Sequence, residues 1–234
     1  MFTGIVQGKG RVAAIESNPF GLRLTIEPPP GGFHHGYAPE HGHSICVSGV
    51  CLTVAPGSGS RDSTGAMRFD VIAETLDKTT LGRLGVGDAV NLEPSVTPHQ
   101  PMGGHFMQGH VDAVGEVTAV HDGDDEWRTT LRPPAELMKY VIAKGSVAID
   151  GISLTIAAVH DDAFDVALIP TTLDLTTLAD KRPGDGVNLE MDILTKTVVA
   201  QLERLLGGGG GDADEPEPAG VTPDLLRRAG FMRT

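Results

Sequence analysis

The chain is poor in aromatic residues, which make up 4% of its 234 positions with one tryptophan and two tyrosines. Stacking many bases on exposed rings is not open to such a surface. Cations are scarce too. Its 18 lysines and arginines form no basic run and stand against 31 acidic residues, leaving a net charge of −13. A duplex-binding face needs clustered Lys and Arg, so nucleic acid and anionic membrane are poor partners. There are two cysteines, Cys46 and Cys51, on neighbouring strand positions. That argues against a disulfide framework and suits a reducing compartment. No apolar run approaches the length of a membrane span, and the opening Met1-Phe2-Thr3-Gly4-Ile5-Val6 is not a basic segment followed by an apolar one. The expectation is a soluble, cytoplasmic protein.

What the chain does have is a stretch written twice. Gly42-His43-Ser44-Ile45-Cys46-Val47-Ser48-Gly49-Val50-Cys51-Leu52-Thr53-Val54 returns as Lys144-Gly145-Ser146-Val147-Ala148-Ile149-Asp150-Gly151-Ile152-Ser153-Leu154-Thr155-Ile156. Each copy reads as a strand, a Gly-centred turn and a second strand. Other blocks repeat in the same order. Thr3 to Val12 aligns on Gln108 to Val117, Thr75-Leu76-Asp77 on Thr172-Leu173-Asp174, and Asn91-Leu92-Glu93 on Asn188-Leu189-Glu190. The spacing shortens slightly from block to block, as it does when connections shrink and strands stay matched. This is an internal duplication.

Within the first copy, residues 1–15 read as a strand kinked around Gly4, Gly8 and Gly10. Strands follow at Phe20 to Glu27, on both arms of the repeated stretch, at Met67 to Ala73 and at Ala89 to Glu93, with a helical turn over Glu74 to Leu81. Six short strands with turns between them argue for a small antiparallel barrel or sandwich, and two copies argue for two barrels. The Pro/Gly-rich loop from Pro28 to His43 carries His34, His35, His41 and His43. No Cys or carboxylate stands at a ligand spacing, so a solvated insertion is favoured over a metal site. Pro94 to Gly104 is an irregular junction. Leu194, Val198, Leu202 and Leu205 share one helix face, which packs either on its own barrel or on another protomer. The organisation expected is a barrel over 1–97, a barrel over 98–192, a helix over 193–206 and an acidic, Gly-rich tail over 207–234, with a short docking helix or frayed end from Pro223.

Two equivalent barrels imply two equivalent pockets, and the differences between the copies imply different roles for two ligands of one kind. Ile5 becomes His110, Ser48 becomes Asp150, and Cys51 becomes Ser153. Cys51 is a candidate nucleophile, or else a small buried strand residue. His110 moves protons near neutral pH, or is structural. Asp150 is either one of these role-bearing differences or a residue that merely bonds turn amides. Lys144, by its place alone, simply caps a surface turn.

Four motifs, Met1-Phe2-Thr3-Gly4-Ile5-Val6, Ser48-Gly49-Val50-Cys51-Leu52-Thr53-Val54, Gly103-Gly104-His105-Phe106-Met107-Gln108-Gly109-His110-Val111-Asp112 and Asp150-Gly151-Ile152-Ser153-Leu154-Thr155, together resemble the riboflavin synthases, the lumazine-binding tandem-barrel family. The resemblance runs from residue 1 to about 206. It implies an all-β fold of two similar six-stranded antiparallel Greek-key barrels with a C-terminal α-helix. It also implies a homotrimer joined through the helices, and sites between neighbouring subunits that each take two 6,7-dimethyl-8-ribityllumazine molecules. One lumazine gives four carbons to the other, without metal or cofactor. Carried over by position, the resemblance assigns one pocket Gly4, Ile5 and Val6, then Ser44, then Cys51, Leu52 and Thr53, then Asp70, Val71, Ile72, Ala73, Glu74 and Thr75. It assigns the other Gly109, His110 and Val111, then Lys144, then Ser153, Leu154 and Thr155, then Leu168, Ile169, Pro170, Thr171, Thr172 and Leu173. Cys51 would assist at the acceptor ring, His110 with Thr155 at the donor methyl, and Asp150, Ser153 and Asp192 would orient or polarise. The family usually has Asn at Ser48, and Arg-Ala where Pro94-Ser95 stands. The competing expectations are a non-catalytic lumazine- or flavin-binding antenna protein and a structural module; the joint presence of Cys51, His110 and Ser153 argues against both.

Overall fold

A computed structural model of the protein describes residues 1–57, 65–123 and 126–206. The expectations for the tail from 207 onward lie outside the described residues. Twelve strands and three α-helices follow in order among them: β1 (Gly8–Asn18), β2 (Gly21–Glu27), β3 (Ser44–Val47), β4 (Val50–Thr53), β5 (Met67–Ile72), α1 (Ala73–Lys78), β6 (Ala89–Pro94), β7 (Ala113–Asp122), β8 (Trp127–Arg132), β9 (Ser146–Ile149), β10 (Ile152–Val159), β11 (Phe164–Leu168), α2 (Pro170–Leu175), β12 (Gly186–Met191) and α3 (Ile193–Leu206).

The repeated stretch forms a hairpin in each half. Ser48-Gly49 joins β3 to β4 and Asp150-Gly151 joins β9 to β10, with φ of 43° and 88° in the first and 45° and 79° in the second. Positive φ at both central positions is the turn that matches strand twist, which is why a small polar residue followed by glycine recurs there. The strands run β4-β3-β6-β1-β2-β5 in the first sheet; its ends meet at a bridge between Val54 and Phe69. The second has the equivalent order and closes fully, because β10 is long enough to pair with both β9 and β11. In both halves the third strand pairs with the sixth, so the path is a Greek key.

Each barrel has its own apolar core, around Leu24, Ile26, Phe69 and Leu92 in the first and Leu131, Ile149, Phe164 and Leu189 in the second. Two residues cross over. Val6 is buried in the core of the second barrel, and Val111 packs against that of the first. Residues 1–7 are accordingly not the first part of a kinked strand, as their alternation suggests. The strand begins at Gly8, and the segment before it runs across to the other barrel. Phe2 and Met107 exchange backbone hydrogen bonds of 2.8 and 3.2 Å and, with Cys46 and Ala148, fill a small core between the halves.

A second set of contacts binds the barrels. The Asn91 side chain donates to the Asp150 carbonyl at 2.9 Å and accepts from the Thr177 amide at 2.9 Å. Asn188 does the same in mirror fashion with the Ser48 carbonyl and the Thr80 amide, both at 2.7 Å. Each asparagine thus reads the hairpin turn of the opposite half.

Candidate active site

Alternation along β4 and β10 sorts the repeated stretch into two faces. Val50 and Leu52 point into the first barrel, and Cys51 and Thr53 point out; Ile152 and Ile156 point into the second, and Ser153 and Thr155 point out. The segments that cross over cover these outward residues. The Cys51 amide donates to the Gly109 carbonyl at 2.8 Å, and its counterpart, the Ser153 amide, donates to the Gly4 carbonyl at 2.9 Å. Gly4 and Gly109 have φ of +77° and +75°, and a β-carbon on Gly109 would stand 2.6 Å from that of Cys51. Only glycine allows both the conformation and the approach.

This overturns the grouping of residues by chain half. Gly109, His110 and Val111 belong with Cys51, and Gly4, Ile5 and Val6 belong with Ser153. Val50, Cys51, Ile72, Glu74, Thr75, Lys78, Thr79, Gly109, His110 and Val111 line one cavity of about 310 Å³. A thiol, an imidazole, an ion-paired Glu74 and Lys78 and an exposed Ile72 therefore share one wall, apolar enough to take a flat ring and polar enough to orient it. Two clefts of about 590 Å³ are larger, but neither is lined by a cysteine or histidine among the described residues. Among the cavities described, the one of about 310 Å³ is where a cysteine and a histidine, Cys51 and His110, stand together. Cys46 is no rival nucleophile. Burial, then the nearby Glu93 carboxylate, push its thiol well above the ordinary range.

At the second barrel the Ser153 hydroxyl lies 2.7 Å from Nδ1 of His105. Burial lowers the His105 pKa, while the charge of Asp192 opposes that shift. The other ring nitrogen of His105 is buried with no hydrogen-bond partner among the described residues. Asp192 itself caps α3, accepting from the Leu194 amide at 3.0 Å. Ile5, Thr155, Lys144, Ile169, Pro170 and Thr171 are exposed around this face, with Ser146, Thr172 and Leu154 partly so, whereas Ser44 pairs with Thr53 on the first barrel. His105 is the residue the duplication argument misses. It precedes the block that aligns on Thr3, so it has no counterpart to differ from.

Several expected site residues stand elsewhere. The side chains of Leu52, Val71 and Leu168 are buried in the barrel cores, turned inward by the period of two along their strands; Val6, on the crossing segment, and Leu173, on α2, pack there too. The Asp70 carboxylate is held by Arg23 through two bonds of 2.8 Å and by Asn18 at 3.1 Å. Asp150 is buried in its turn, where Oδ1 accepts from the Asn188 amide at 2.8 Å and Oδ2 pairs with Lys181 at 3.1 Å. Both oxygens are committed, so Asp150 is a structural residue of the barrel junction. Burial first, then its partners in opposition, leave its pKa raised. Among the described residues no group of His, Cys, Asp and Glu could hold a metal ion, and Tyr37 takes Nδ1 of His43 at 2.9 Å.

Comparison with known proteins gives the family. A family model for the lumazine binding domain matches the chain twice, over residues 3–95 and 108–192. A riboflavin synthase of Mycobacterium tuberculosis is 43% identical over 214 residues, 90% of this chain and 100% of that protein. The riboflavin synthase of Escherichia coli is 38% identical, covering 92% of this chain and 98% of the other. Among solved structures, LumP complexed with riboflavin aligns with a TM-score of 0.72 at 27% identity, over 82% of this chain and 99% of that one. LumP complexed with 6,7-dimethyl-8-(1'-D-ribityl) lumazine gives 0.69 at 27%.

Proposed function

The chain belongs to the lumazine-binding family, among the riboflavin synthases, and we propose that its reactive centre is built on the cavity where Cys51 and His110 meet. It is an enzyme, a transferase. It dismutates two 6,7-dimethyl-8-ribityllumazine molecules by four-carbon transfer, giving riboflavin and 5-amino-6-(D-ribitylamino)uracil. That is the last step of riboflavin biosynthesis.

The observation that carries the site reading is the crossing of residues 108–111 onto β4, which sets a proton-moving imidazole beside a thiol. In this reading one lumazine lies on the first barrel against Ile72, with Cys51 assisting at its ring and His110 moving a proton. The other lies on the second barrel against Ile5 and Ile169. There Ser153, backed by His105, is the hydrogen-bonding group, with Thr155 and Lys144 at the rim. His110 and Thr155 then meet only when the first barrel of one subunit faces the second barrel of a neighbour. Holding the two rings in reactive register is the larger part of the task, worth roughly 7–11 kcal/mol at best. No cofactor takes part in this scheme.

A trimer with sites between subunits is the assembly we propose. Its support is α3, where Leu194 and Val198 are each 58% exposed in the single chain, and the same face continues by sequence through Leu202 and Leu205. The barrels are taken as 1–97 and 98–192, with the helix as the assembly element over 193–206. No helix among the described residues is long and apolar enough to cross a membrane, and with two free cysteines the cytoplasm is the proposed location.

The rival reading is an optical carrier of lumazine, as the LumP structures invite. Cys51→Ser separates the two. The enzyme reading predicts riboflavin formation slowed much more than lumazine binding is weakened. Equal losses in both would reject a catalytic part for Cys51.

A further inference from the structure

The two crossing segments have to be held at their own ends, and in each half one buried carboxylate does this. Glu190, near the end of β12, accepts from the Gln108 amide on Oε1 at 2.7 Å, and on Oε2 from the Gly109 amide at 2.9 Å and the His110 amide at 3.1 Å. Glu93, at the matching place in β6, accepts from the Thr3 amide and hydroxyl on Oε1, both at 2.7 Å, and from the Gly4 amide on Oε2 at 2.9 Å. The Ile5 amide reaches this second clamp indirectly, by donating to the Thr3 hydroxyl at 3.2 Å. Both glutamates are almost wholly buried, at 1% and 4% exposure for Glu93 and Glu190. A carboxylate taken out of water is costly unless its lone pairs are filled, and three donors in a fixed arc fill them. Among the described residues no Lys or Arg side chain bonds either one; apart from the Thr3 hydroxyl, the donors are backbone amides.

We propose that Glu190 is the positioning residue of His110, and that Glu93 plays the same part for Ile5 at the second barrel. The chain of contacts is short. Glu190 grips the amides of residues 108–110, the Gly109 carbonyl takes the Cys51 amide, and His110 stands on the cavity wall between these two anchors. The imidazole is exposed and makes no side-chain hydrogen bond among the described residues, so its place is set through its backbone. The carboxylate touches no reacting atom. It decides whether the His110 ring meets the ligand on the first barrel at reacting distance. The two copies differ in a way that fits the roles. Where the residue at the pocket is a histidine, the clamp bonds its amide directly; where it is Ile5, the clamp acts through a threonine hydroxyl.

The inference rests on the riboflavin synthase reading, and the experiment keeps the two apart because wild-type turnover of lumazine is its control. The test is a double-mutant cycle of Glu190→Gln and His110→Ala, read as kcat and KM for lumazine on the full chain, with folding checked by circular dichroism. Gln keeps the volume and puts an NH2 where an acceptor is needed. Alone it should lower kcat by about 10²-fold, as a displaced catalytic group does, with little change in KM. His110→Ala should cost roughly 10²-fold by itself. If Glu190 acts through His110, the double variant falls within about twofold of His110→Ala alone. Losses that multiply, to about 10⁴-fold, overturn the proposal, as does a Glu190→Gln variant with unchanged kcat. Should Glu190→Gln not fold, Glu190→Asp, which keeps the charge and shortens its reach, goes through the same cycle. Failure of both to fold makes Glu190 a residue of the fold and overturns its positioning role. A wild type that forms no riboflavin rejects the reading beneath.

Discussion

The two asparagines between the barrels allow a loss of stability to be worked from named atoms. Asn188 is 1% exposed. Its side chain satisfies two groups of the first half, the Ser48 carbonyl and the Thr80 amide, each at 2.7 Å. Asn188→Ala leaves both without a partner at a junction where Ser48 is itself buried. An unsatisfied buried group costs about 1–3 kcal/mol, so the pair predicts about 2–6 kcal/mol. For a chain of this size that lowers Tm by roughly 5–20 °C. Asn188→Asp should be no better, because an oxygen would then face the Ser48 carbonyl. Asn91→Ala, which strips the Asp150 carbonyl and the Thr177 amide, should cost a similar amount. The double variant should lose less than the sum, since the first substitution already loosens the junction that both support. The assay is urea unfolding followed by circular dichroism at fixed protein concentration. A loss below about 0.5 kcal/mol, the size of a surface substitution, would refute the reasoning, as would full additivity.

Other expectations can be checked separately. His105→Ala removes the partner of the Ser153 hydroxyl and should slow riboflavin formation by about 10²-fold; unchanged kcat would remove His105 from the site. Deleting the chain from Leu194 onward should give monomers by sedimentation, and a truncated trimer would show that α3 is not the assembly element. Stability should also follow pH with a definite sign. Glu93, Glu190 and Asp150 have pKa values raised by burial. Their contribution is present below the ordinary carboxylate range and is lost as pH rises through the raised values. Asp70, held down first by Arg23, contributes above 3.8 and loses that contribution as pH falls. Urea midpoints measured from about pH 3 to about pH 8 should therefore peak on the acid side of neutrality, and a steady climb to alkaline pH would contradict these assignments.

The duplication, the hairpin turns and the helix face were legible in the sequence because each is a local pattern. Ser48-Gly49 and Asp150-Gly151 announce a turn whatever lies around them. The crossing of residues 1–7 and 108–112 was not legible. Aligning Gly4 with Gly109 says that the two are equivalent, but it does not say which barrel each one touches; that depends on bonds to residues far along the chain, such as Cys51 to Gly109. The clamps were hidden for the same reason. Glu93 and Glu190 read as the polar ends of closing strands, where a carboxylate is ordinarily solvated. Burial along a strand is legible in the sequence. The alternation that puts Cys51 outward puts Leu52 inward, and the same holds for Val71 beside Ile72. Asp150 illustrates a different limit. Its difference from Ser48 looked chemical, and it is answered by another difference in the same half, Lys181.

The most direct test of the account is the stoichiometry of the reaction. Purified protein is mixed with 6,7-dimethyl-8-ribityllumazine in buffer alone, and the loss of lumazine and gain of riboflavin are followed by absorbance. The expected result is one riboflavin for every two lumazines, sustained over many turnovers. Lumazine that binds, changes its fluorescence and stays unconverted would contradict it.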